Sequence, residues 1–206
     1  MTLIDRDVTD LLVAFRSPDP TPGGGSASAL AGAIGASLLT KVAGLPKSRA
    51  DTEQDFERLK SAGERCLDLA GQLTALVDAD SDAYDRVAAA YRLPRGTDAE
   101  KTARSAAVQQ ALKRATETPL EVMRACAAAI EQASVVAQFG NSNAASDVQV
   151  ALELLTAGLR GGQQNVAINL GSVKDRVWAE SAHAEGERLA AEASAGAAAA
   201  AARLAS

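Results

Sequence analysis

Residues 20–45 read PTPGGGSASALAGAIGASLLTKVAGL: two prolines and three successive glycines are followed by a run of mostly small residues. Because few of its side chains extend beyond Cβ, such a run lets the backbone approach a neighbouring helix or a ligand closely. Ser28, Gly32 and Ala36 are spaced four apart and form a row of small residues on a helix. The pattern predicts a helix over about residues 26–45 that packs closely against a neighbour, contacts a ligand, or does both.

Three glycines, Gly23, Gly24 and Gly25, stand directly before this helix, and Ser26 is its predicted N-cap. The unpaired amide groups of a first helical turn, together with the helix dipole, favour an anion such as a carboxylate or a phosphate. The segment lacks the Gly-x-x-x-x-Gly-Lys-Ser/Thr pattern of nucleotide P-loops, and no strand-like run precedes it, as a dinucleotide-binding fold requires. Both nucleotide motifs are therefore excluded, and close helix packing stays the alternative to ligand contact.

The composition of the chain favours helices. Apolar residues make up 47% of the 206 residues, whereas aromatic residues make up only 3%, so the core must consist largely of alanine, leucine and valine. Apolar residues recur with helical periodicity, and no segment alternates convincingly as a strand would. We predict an all-α fold, a single domain over residues 1–206 built as a bundle of long antiparallel helices. Its alanine-rich tail, about residues 194–206, is predicted to be either a frayed helix or an interaction helix.

The charge and the terminal segment of the chain limit its partners. The formal net charge is −5 and the pI is about 5.0, without a cluster of lysine or arginine, which argues against nucleic acid. Residues 1–10 lack the apolar core of a signal peptide. Residues 26–45 carry four hydroxyl side chains, which favours burial in a bundle over a membrane span. We expect a soluble cytoplasmic protein with neither nucleic acid nor a membrane as partner.

The two cysteines and the single histidine do not form a metal-binding pattern. Cys66 and Cys126 lie in helical patterns without metal-ligand spacing, so we expect both to be reduced, buried and inert. His183 is the only histidine and lies in a polar segment, which excludes a histidine-rich zinc site and weakens a Ser-His-Asp triad. We expect His183 at the surface and no bound metal.

Periodicity and turn signals divide the chain into helices. Thr97 and Glu100 form a capping-box pattern that opens one of them, and Thr118-Pro119 indicates a new or kinked helix. Gly161-Gly162 either ends a helix or kinks it. The predicted helix starts lie near residues 3, 26, 51, 97, 118, 146 and 172.

Asp80 lies where the helical pattern of residues 51–91 predicts burial, whereas Asp78 and Asp82 point away from the apolar arc. A buried carboxylate is costly unless it is paired, and burial raises its pKa toward the range useful for proton transfer. Asp80 is therefore a candidate acid or base, or else half of a buried ion pair or an inward-facing cap. The apolar arc around it consists of Leu73, Leu76, Val77, Tyr84 and Val87.

Lys101 and Arg104 are positively charged residues that, like Asp80, lie where the helical pattern predicts burial. They are predicted to project from the apolar face that Val108 and Leu112 continue, one to two turns further along the helix. Cations near a helix N-terminus oppose the dipole and need a compensating anion. That anion is either Asp80 or a substrate carboxylate, unless both side chains extend to solvent past the end of the bundle.

The remaining polar candidates are the asparagines Asn141, Asn143, Asn165 and Asn169, the last two of which share a helix face. Inward-facing asparagines bind the amide-like edge of a heterocycle. Capping and interhelical hydrogen bonds explain asparagines at least as often, so both interpretations stay open.

A series of motifs runs along about residues 11–175: Pro20-Thr-Pro-Gly-Gly-Gly-Ser26, Leu76-Val-Asp-Ala-Asp80 with Ala83-Tyr84, Arg92-Leu-Pro94, Glu100-Lys101 with Arg104, Gly140-Asn141, Ser146-Asp147 and Asn165-Val-Ala-Ile-Asn-Leu170. In this order they resemble the cyclodeaminase/cyclohydrolase family of one-carbon folate enzymes. That family includes the C-terminal domain of formiminotransferase-cyclodeaminase and stand-alone methenyltetrahydrofolate cyclohydrolases. The chain departs from the family pattern at residues 45–51, where a Thr-x-Gly-Lys-like stretch and a nearby tyrosine are often found.

The resemblance implies an all-helical homodimer that acts on a tetrahydrofolate derivative carrying a one-carbon unit, without a tightly bound cofactor. An acid of the Val77-Asp-Ala-Asp80 segment resembles the catalytic carboxylate of the family, and the helix-face argument selects Asp80 over Asp78. Pairing with the amino-pyrimidine edge of the pterin is the alternative role for Asp80. A non-catalytic bundle that binds folate or a partner is the competing hypothesis for the whole chain. The predicted substrate contacts are Gly23, Gly24, Gly25, Ser26, Lys101, Arg104, Asn141, Asn165 and Asn169.

Overall fold

The structure, a computed structural model, describes residues 2–204, and this part of the chain contains helices and no strand. The all-helical prediction is therefore confirmed. The elements are α1 (Val8–Phe15), α2 (Gly24–Ala43), α3 (Glu53–Tyr91), α4 (Asp98–Phe139), a short 3-10 helix (Ser142–Ala144), α5 (Ala145–Leu170) and α6 (Arg176–Leu204).

The small-residue helix α2 packs closely against α3, α4 and α5, as its glycines predict. A Cβ atom added at Gly32 would lie 2.7 Å from Sγ of Cys126 on α4 and 3.1 Å from Cδ2 of Leu73 on α3. One added at Gly35 would lie 2.8 Å from Cγ of Leu155 on α5. Since real Cβ atoms do not approach other atoms this closely, both positions require glycine.

Contacts along α2 bring three chain segments to one end of the molecule. Residues of increasing number on α2 contact residues of decreasing number on both α3 and α5. The beginning of α2 therefore lies beside the later part of α3 and the last turns of α5. The contacting pairs are Gly25–Asp80 and Gly32–Leu73 for α3, and Gly24–Asn165 and Gly35–Leu155 for α5.

Within residues 2–204, α2 is the one helix whose length and composition would suit a membrane span, and half of the qualifying window is buried. The contacts of Gly32 and Gly35 with the neighbouring helices account for that burial. The small and apolar composition of α2 is therefore explained by its close packing against α3, α4 and α5.

Of the two alternatives predicted at Thr118-Pro119, a new helix is wrong, because α4 continues through Pro119. Proline has no N–H group, so the carbonyl oxygen of Ala115, four residues earlier, loses its partner within the helix. Nδ2 of Asn169 on α5 donates to this oxygen at 2.8 Å. The helix therefore continues through Pro119 with a hydrogen bond supplied by its neighbour.

Other predicted helix ends differ by several residues. The capping box of Thr97 and Glu100 is present at the start of α4, as predicted. The first helix begins at Val8 rather than near residue 3, and the last begins at Arg176 rather than near residue 172. The alanine-rich tail is helical as far as Leu204, and its last two residues lie outside the described part of the chain.

The predicted apolar stripe of α3 is buried only where another helix covers it. Leu73 and Cys66 are fully buried, whereas Tyr84 is 46% exposed and Tyr91 is 49% exposed. The reason is that α2 begins opposite Asp80, so the turns of α3 beyond that level lack its cover. This end of α3 therefore has an open face directly beside Asp80.

Candidate functional site

Asp80 is hydrogen-bonded to the first turn of α2. The backbone N–H and the hydroxyl of Ser26 both donate to Oδ2 of Asp80, at 2.9 and 3.1 Å. The prediction that Ser26 is the N-cap is wrong, since Gly23 occupies that position without a side-chain hydrogen bond. The carboxylate of Asp80 instead accepts from one of the otherwise unpaired N–H groups of the helix start, where a negative charge is favoured.

Gly25 provides the space that the carboxylate occupies. A Cβ atom at this position would lie 2.1 Å from Oδ1 of Asp80 and 2.5 Å from its Cγ. Any other residue at position 25 would therefore displace the carboxylate. A Cβ atom at Gly24 would make only an ordinary contact, 3.5 Å from Nδ2 of Asn165, so it is the third glycine before Ser26 that creates room for an acid.

The surroundings of Asp80 suit proton transfer. Burial raises the pKa of its carboxyl group, and the hydrogen bonds from Ser26 oppose that rise without cancelling it. Among residues 2–204, none forms an ion pair with Asp80, and none donates a hydrogen bond to its Oδ1. Asp80 therefore has one oxygen held by α2 and one oxygen free to exchange a proton with a ligand.

Asn165 lies on the other side of the same helix start. Its Nδ2 donates to the carbonyl oxygen of Gly161 at 2.8 Å. A Cβ atom added at Gly24 would lie 3.5 Å from the same Nδ2. No residue of the described chain donates to Oδ1 of Asn165, which is half-buried. The structure thus brings together Gly24, Gly25, Ser26, Asp80 and Asn165, with Gly23 directly before them.

Neither Lys101 nor Arg104 pairs with Asp80, so the predicted ion pair is wrong, whereas a substrate carboxylate as partner and extension to solvent stay open. Lys101 is exposed and pairs with Asp98 in its own first turn at 2.8 Å. Arg104 donates from Nε and Nη2 to the carbonyl oxygen of Tyr91 and lies 5.5 Å from the centre of that ring. Tyr91 is eleven residues beyond Asp80 on α3, about 16 Å along the helix. Neither cation pairs with Asp80, since the paired ends of α3 and α4 extend past the beginning of α2.

Asn141 lies at the other end of α2 from Asp80. Its Nδ2 donates to the carbonyl oxygen of Pro46 at 2.7 Å, and its Oδ1 accepts from the backbone of Asn143 at 2.9 Å. Helix α2 has 20 residues, and a helix of 20 residues is about 30 Å long. Within a single chain, Asn141 therefore does not share a site with Asp80.

Asn169 lies one helical turn beyond Asn165 on α5, and its amide nitrogen is used structurally. It donates to the carbonyl oxygen of Ala115, which has no N–H partner within α4 because residue 119 is proline. Of the three asparagines predicted as substrate contacts, Asn165 is thus the one that lies at the start of α2, as Asp80 does, with an unpaired amide oxygen.

Ser81 is the polar residue that the sequence did not reveal. Its hydroxyl lies 3.3 Å from the hydroxyl of Ser26, and either can be the donor. Ser81 also lines a cavity of about 600 Å³ beside α1 and the loop before α2. Because Ser81 is adjacent to Asp80 in sequence but about 100° away around the helix, only the position of Ser26 could have identified it.

The cysteines are buried and free, as predicted. Burial raises the pKa of both Cys66 and Cys126 to about 12, so neither is a thiolate at neutral pH. His183 is exposed, also as predicted. No group of three histidine, cysteine or carboxylate side chains in residues 2–204 is arranged to hold a metal ion.

Comparison with known proteins identifies the family and the fold. A family model described as formiminotransferase-cyclodeaminase matches residues 7–188, which include every residue around Asp80. This chain therefore belongs to the formiminotransferase-cyclodeaminase family, and the predicted family resemblance is confirmed.

Two curated relatives show how the chain corresponds to whole proteins. It is 42% identical to a methenyltetrahydrofolate cyclohydrolase of Methylorubrum extorquens over 194 residues, 93% of this chain and 92% of that protein. It is 32% identical to formimidoyltransferase-cyclodeaminase of Mus musculus over 186 residues, 88% of this chain but only 34% of that protein. The chain therefore matches the cyclohydrolase nearly end to end and the mouse protein over about a third of its length.

A solved structure has the same fold. The crystal structure of formiminotetrahydrofolate cyclodeaminase from Thermotoga maritima aligns with a TM-score of 0.86 and covers 97% of this chain and 96% of its own. The two sequences are 24% identical, so this likeness establishes the fold alone.

Proposed function

We propose that this chain is an enzyme that interconverts one-carbon derivatives of tetrahydrofolate, as a methenyltetrahydrofolate cyclohydrolase or a formiminotetrahydrofolate cyclodeaminase. The near end-to-end similarity to a protein with the first of these names supports the proposal. The observation that carries it is the half-buried carboxylate of Asp80, which has one oxygen held by Ser26 and the other free.

Asp80 is the general acid and base in this proposal. In the cyclohydrolase reaction, Oδ1 of Asp80 accepts a proton from the water that attacks the 5,10-methenyl carbon. A carbon–nitrogen bond then opens to give 10-formyltetrahydrofolate, and one proton is released per turnover. In the cyclodeaminase reaction, the same oxygen accepts the proton of N10 as it attacks the formimino carbon, and a proton is delivered to the departing ammonia. A carboxyl group with a raised pKa suits both steps.

The open face of α3 beyond Asp80 is the proposed substrate surface. The pterin lies near Asp80 and Asn165, whose amide oxygen is free to accept from the ring. Backbone groups of Gly23, Gly24 and Gly25, at the start of α2, bind the substrate. Arg104 of α4 bonds to Tyr91, which lies about 16 Å from Asp80 along α3. Arg104 has no carboxylate partner among residues 2–204 and holds the glutamate carboxylate of the folate.

We also propose that the long helices form an antiparallel bundle and that two chains form a homodimer. Exposed apolar side chains on α1 support an interface: Val8 is 74% exposed and Leu12 is 58% exposed. Sedimentation velocity of the purified chain measures the mass, which is expected to be twice that of the 21.0 kDa chain.

The proposed activity is tested with two substrates. Decay of the methenyltetrahydrofolate absorbance reports the cyclohydrolase reaction, and ammonia released from 5-formiminotetrahydrofolate reports the cyclodeaminase reaction. Acceleration of either reaction above the uncatalysed rate supports the proposal. Acceleration of neither, with intact helical structure, would contradict it and favour the non-catalytic alternative, in which the chain binds folate or a partner.

A further inference from the structure

A path of three oxygen atoms, the first of them in the carboxylate of Asp80, leads from the proposed catalytic group to a cavity. Oδ2 of Asp80 accepts from the hydroxyl of Ser26 at 3.1 Å, and the hydroxyl of Ser81 lies 3.3 Å from that of Ser26. Ser26 is fully buried, whereas Ser81 is half-buried and lines the cavity of about 600 Å³. The hydrogen-bonded path therefore starts at the carboxylate and ends where water can enter.

The cavity is polar and able to hold water. Its lining includes the charged side chains Arg6, Asp19, Asp78, Asp82 and Asp85. A cavity of this size with several polar groups is expected to contain ordered water molecules, which exchange protons with bulk solvent. The far end of the path is thus a source and a sink of protons.

The hydroxyl of Ser81 differs from its counterparts elsewhere in the bundle. Serine and threonine within a helix commonly donate to the carbonyl oxygen four residues earlier. Thr74 on the same helix does so to Ala70, and Ser37 on α2 does so to Ala33. Among residues 2–204, Ser81 bonds instead to Ser26, so its hydroxyl connects two helices rather than closing a local ring.

We propose that Ser81, together with Ser26, is a proton relay between Asp80 and the cavity. Ser81 acts through Asp80 and does not touch the substrate. The inference rests on the proposed function, because it specifies how the proton of that reaction leaves the buried site.

The transfer balances over one cyclohydrolase turnover. Oδ1 of Asp80 gains one proton of the attacking water, and the other proton passes from the adduct to the ring nitrogen whose carbon–nitrogen bond opens. A half-turn about the Cβ–Cγ bond then exchanges the two carboxyl oxygens, so that the protonated oxygen faces Ser26. The carboxyl proton passes to Oγ of Ser26, which releases its own proton to Oγ of Ser81. Ser81 releases a proton to a cavity water, so both hydroxyls are restored and the carboxylate is ready again. Since either serine can be the donor, the reverse reaction uses the same path.

Steady-state turnover of Ser81→Ala at low and high buffer concentration tests the relay. With the relay broken, kcat at low buffer is expected to fall by up to about 10²-fold, the lower end of a general acid–base contribution, while KM stays near the wild-type value. Imidazole at increasing concentration, after subtraction of the uncatalysed rate, is expected to restore kcat because a diffusing base replaces the relay. Ser81→Thr keeps the hydroxyl and is expected to retain wild-type turnover. Thr74→Val removes a hydroxyl from the same helix and is the matched control without an effect.

The outcomes separate the relay from the proposed function. Turnover of Ser81→Ala equal to that of wild type at low buffer would overturn the relay and leave the function intact. A loss that imidazole does not reverse would also overturn it, since it indicates a structural role. Absence of folate turnover by the wild-type protein would overturn the proposed function, and the relay with it.

Discussion

Gly25 and Asp80 are complementary: the missing side chain of one is the space that holds the carboxylate of the other. A Cβ atom at position 25 would lie 2.1 Å from Oδ1, 2.5 Å from Cγ and 2.7 Å from Oδ2 of Asp80. These atoms belong to a carboxylate that Ser26 holds by two hydrogen bonds, so it cannot move aside without losing them. The small residues at the start of α2 therefore leave room for the carboxylate of Asp80 and also allow close helix packing.

Gly25→Ala is expected to abolish folate turnover, because the methyl group displaces the carboxylate from Ser26 and from the free space around Oδ1. Gly71→Ala is the matched control on α3, since a Cβ atom there meets nothing within 4 Å. That control is expected to keep activity and to raise the free energy of unfolding by up to about 1 kcal/mol. Measured kcat values and urea unfolding curves check both variants. Full activity of Gly25→Ala would contradict the proposed need for this glycine.

Asn169→Ala is expected to lower the free energy of unfolding by about 1–3 kcal/mol, because the carbonyl of Ala115 loses its hydrogen-bond donor. In a Pro119→Ala background the backbone N–H of residue 119 restores that bond within α4. The same Asn169→Ala change should then cost much less. A double-mutant cycle by urea unfolding measures the difference. Equal costs in both backgrounds would show that Asn169 stabilises the protein by some other contact.

Ionisation of Asp80 is expected to cost stability. Burial raises its pKa in the folded protein above the ordinary value of 3.8, so the folded state binds more protons than the unfolded state between the two values. Stability therefore falls as pH rises through this window. Asp80→Asn should be more stable than wild type above the window and equally stable below pH 3.8. Unfolding at a series of pH values checks this, and a pH-independent difference would exclude Asp80 as its source.

The two cysteines should be unreactive in the folded protein. Both are buried, with pKa values raised to about 12, so almost no thiolate is present near pH 8. A thiol-specific disulfide reagent is expected to modify neither residue under native conditions and both in denaturant. Rapid modification of either in the native protein would contradict their placement in the core.

The sequence predicted the parts of this fold that depend on periodicity and small residues. The helix after Gly25 and the inward position of Asp80 follow from spacing alone, because a helix repeats every 3.6 residues. The continuation of α4 through Pro119 did not follow, since it depends on Asn169 of another helix. A local signal such as Thr118-Pro119 is overridden when a distant residue satisfies the broken hydrogen bond.

Only part of the candidate site was predicted, and the reason for the failures is similar. Helix-face arguments identify which residues point toward the core, but they do not give the level at which a neighbouring helix ends. Arg104 lies on the predicted face, yet α2 does not reach that level, so the side chain bonds to Tyr91 rather than to Asp80. Ser81 was missed because its significance depends entirely on Ser26 of another helix.

The central claim, that Asp80 is the acid and base of a folate enzyme, is tested most directly by methenyltetrahydrofolate turnover and folate affinity of Asp80→Asn. The matched control is Asp68→Asn, an exposed acid on the same helix. We predict that kcat of Asp80→Asn falls by about 10²- to 10⁴-fold while the dissociation constant for the folate stays near the wild-type value. The control should match wild type in both measurements. An unchanged kcat with weakened folate binding would contradict the claim and assign Asp80 to pterin binding instead.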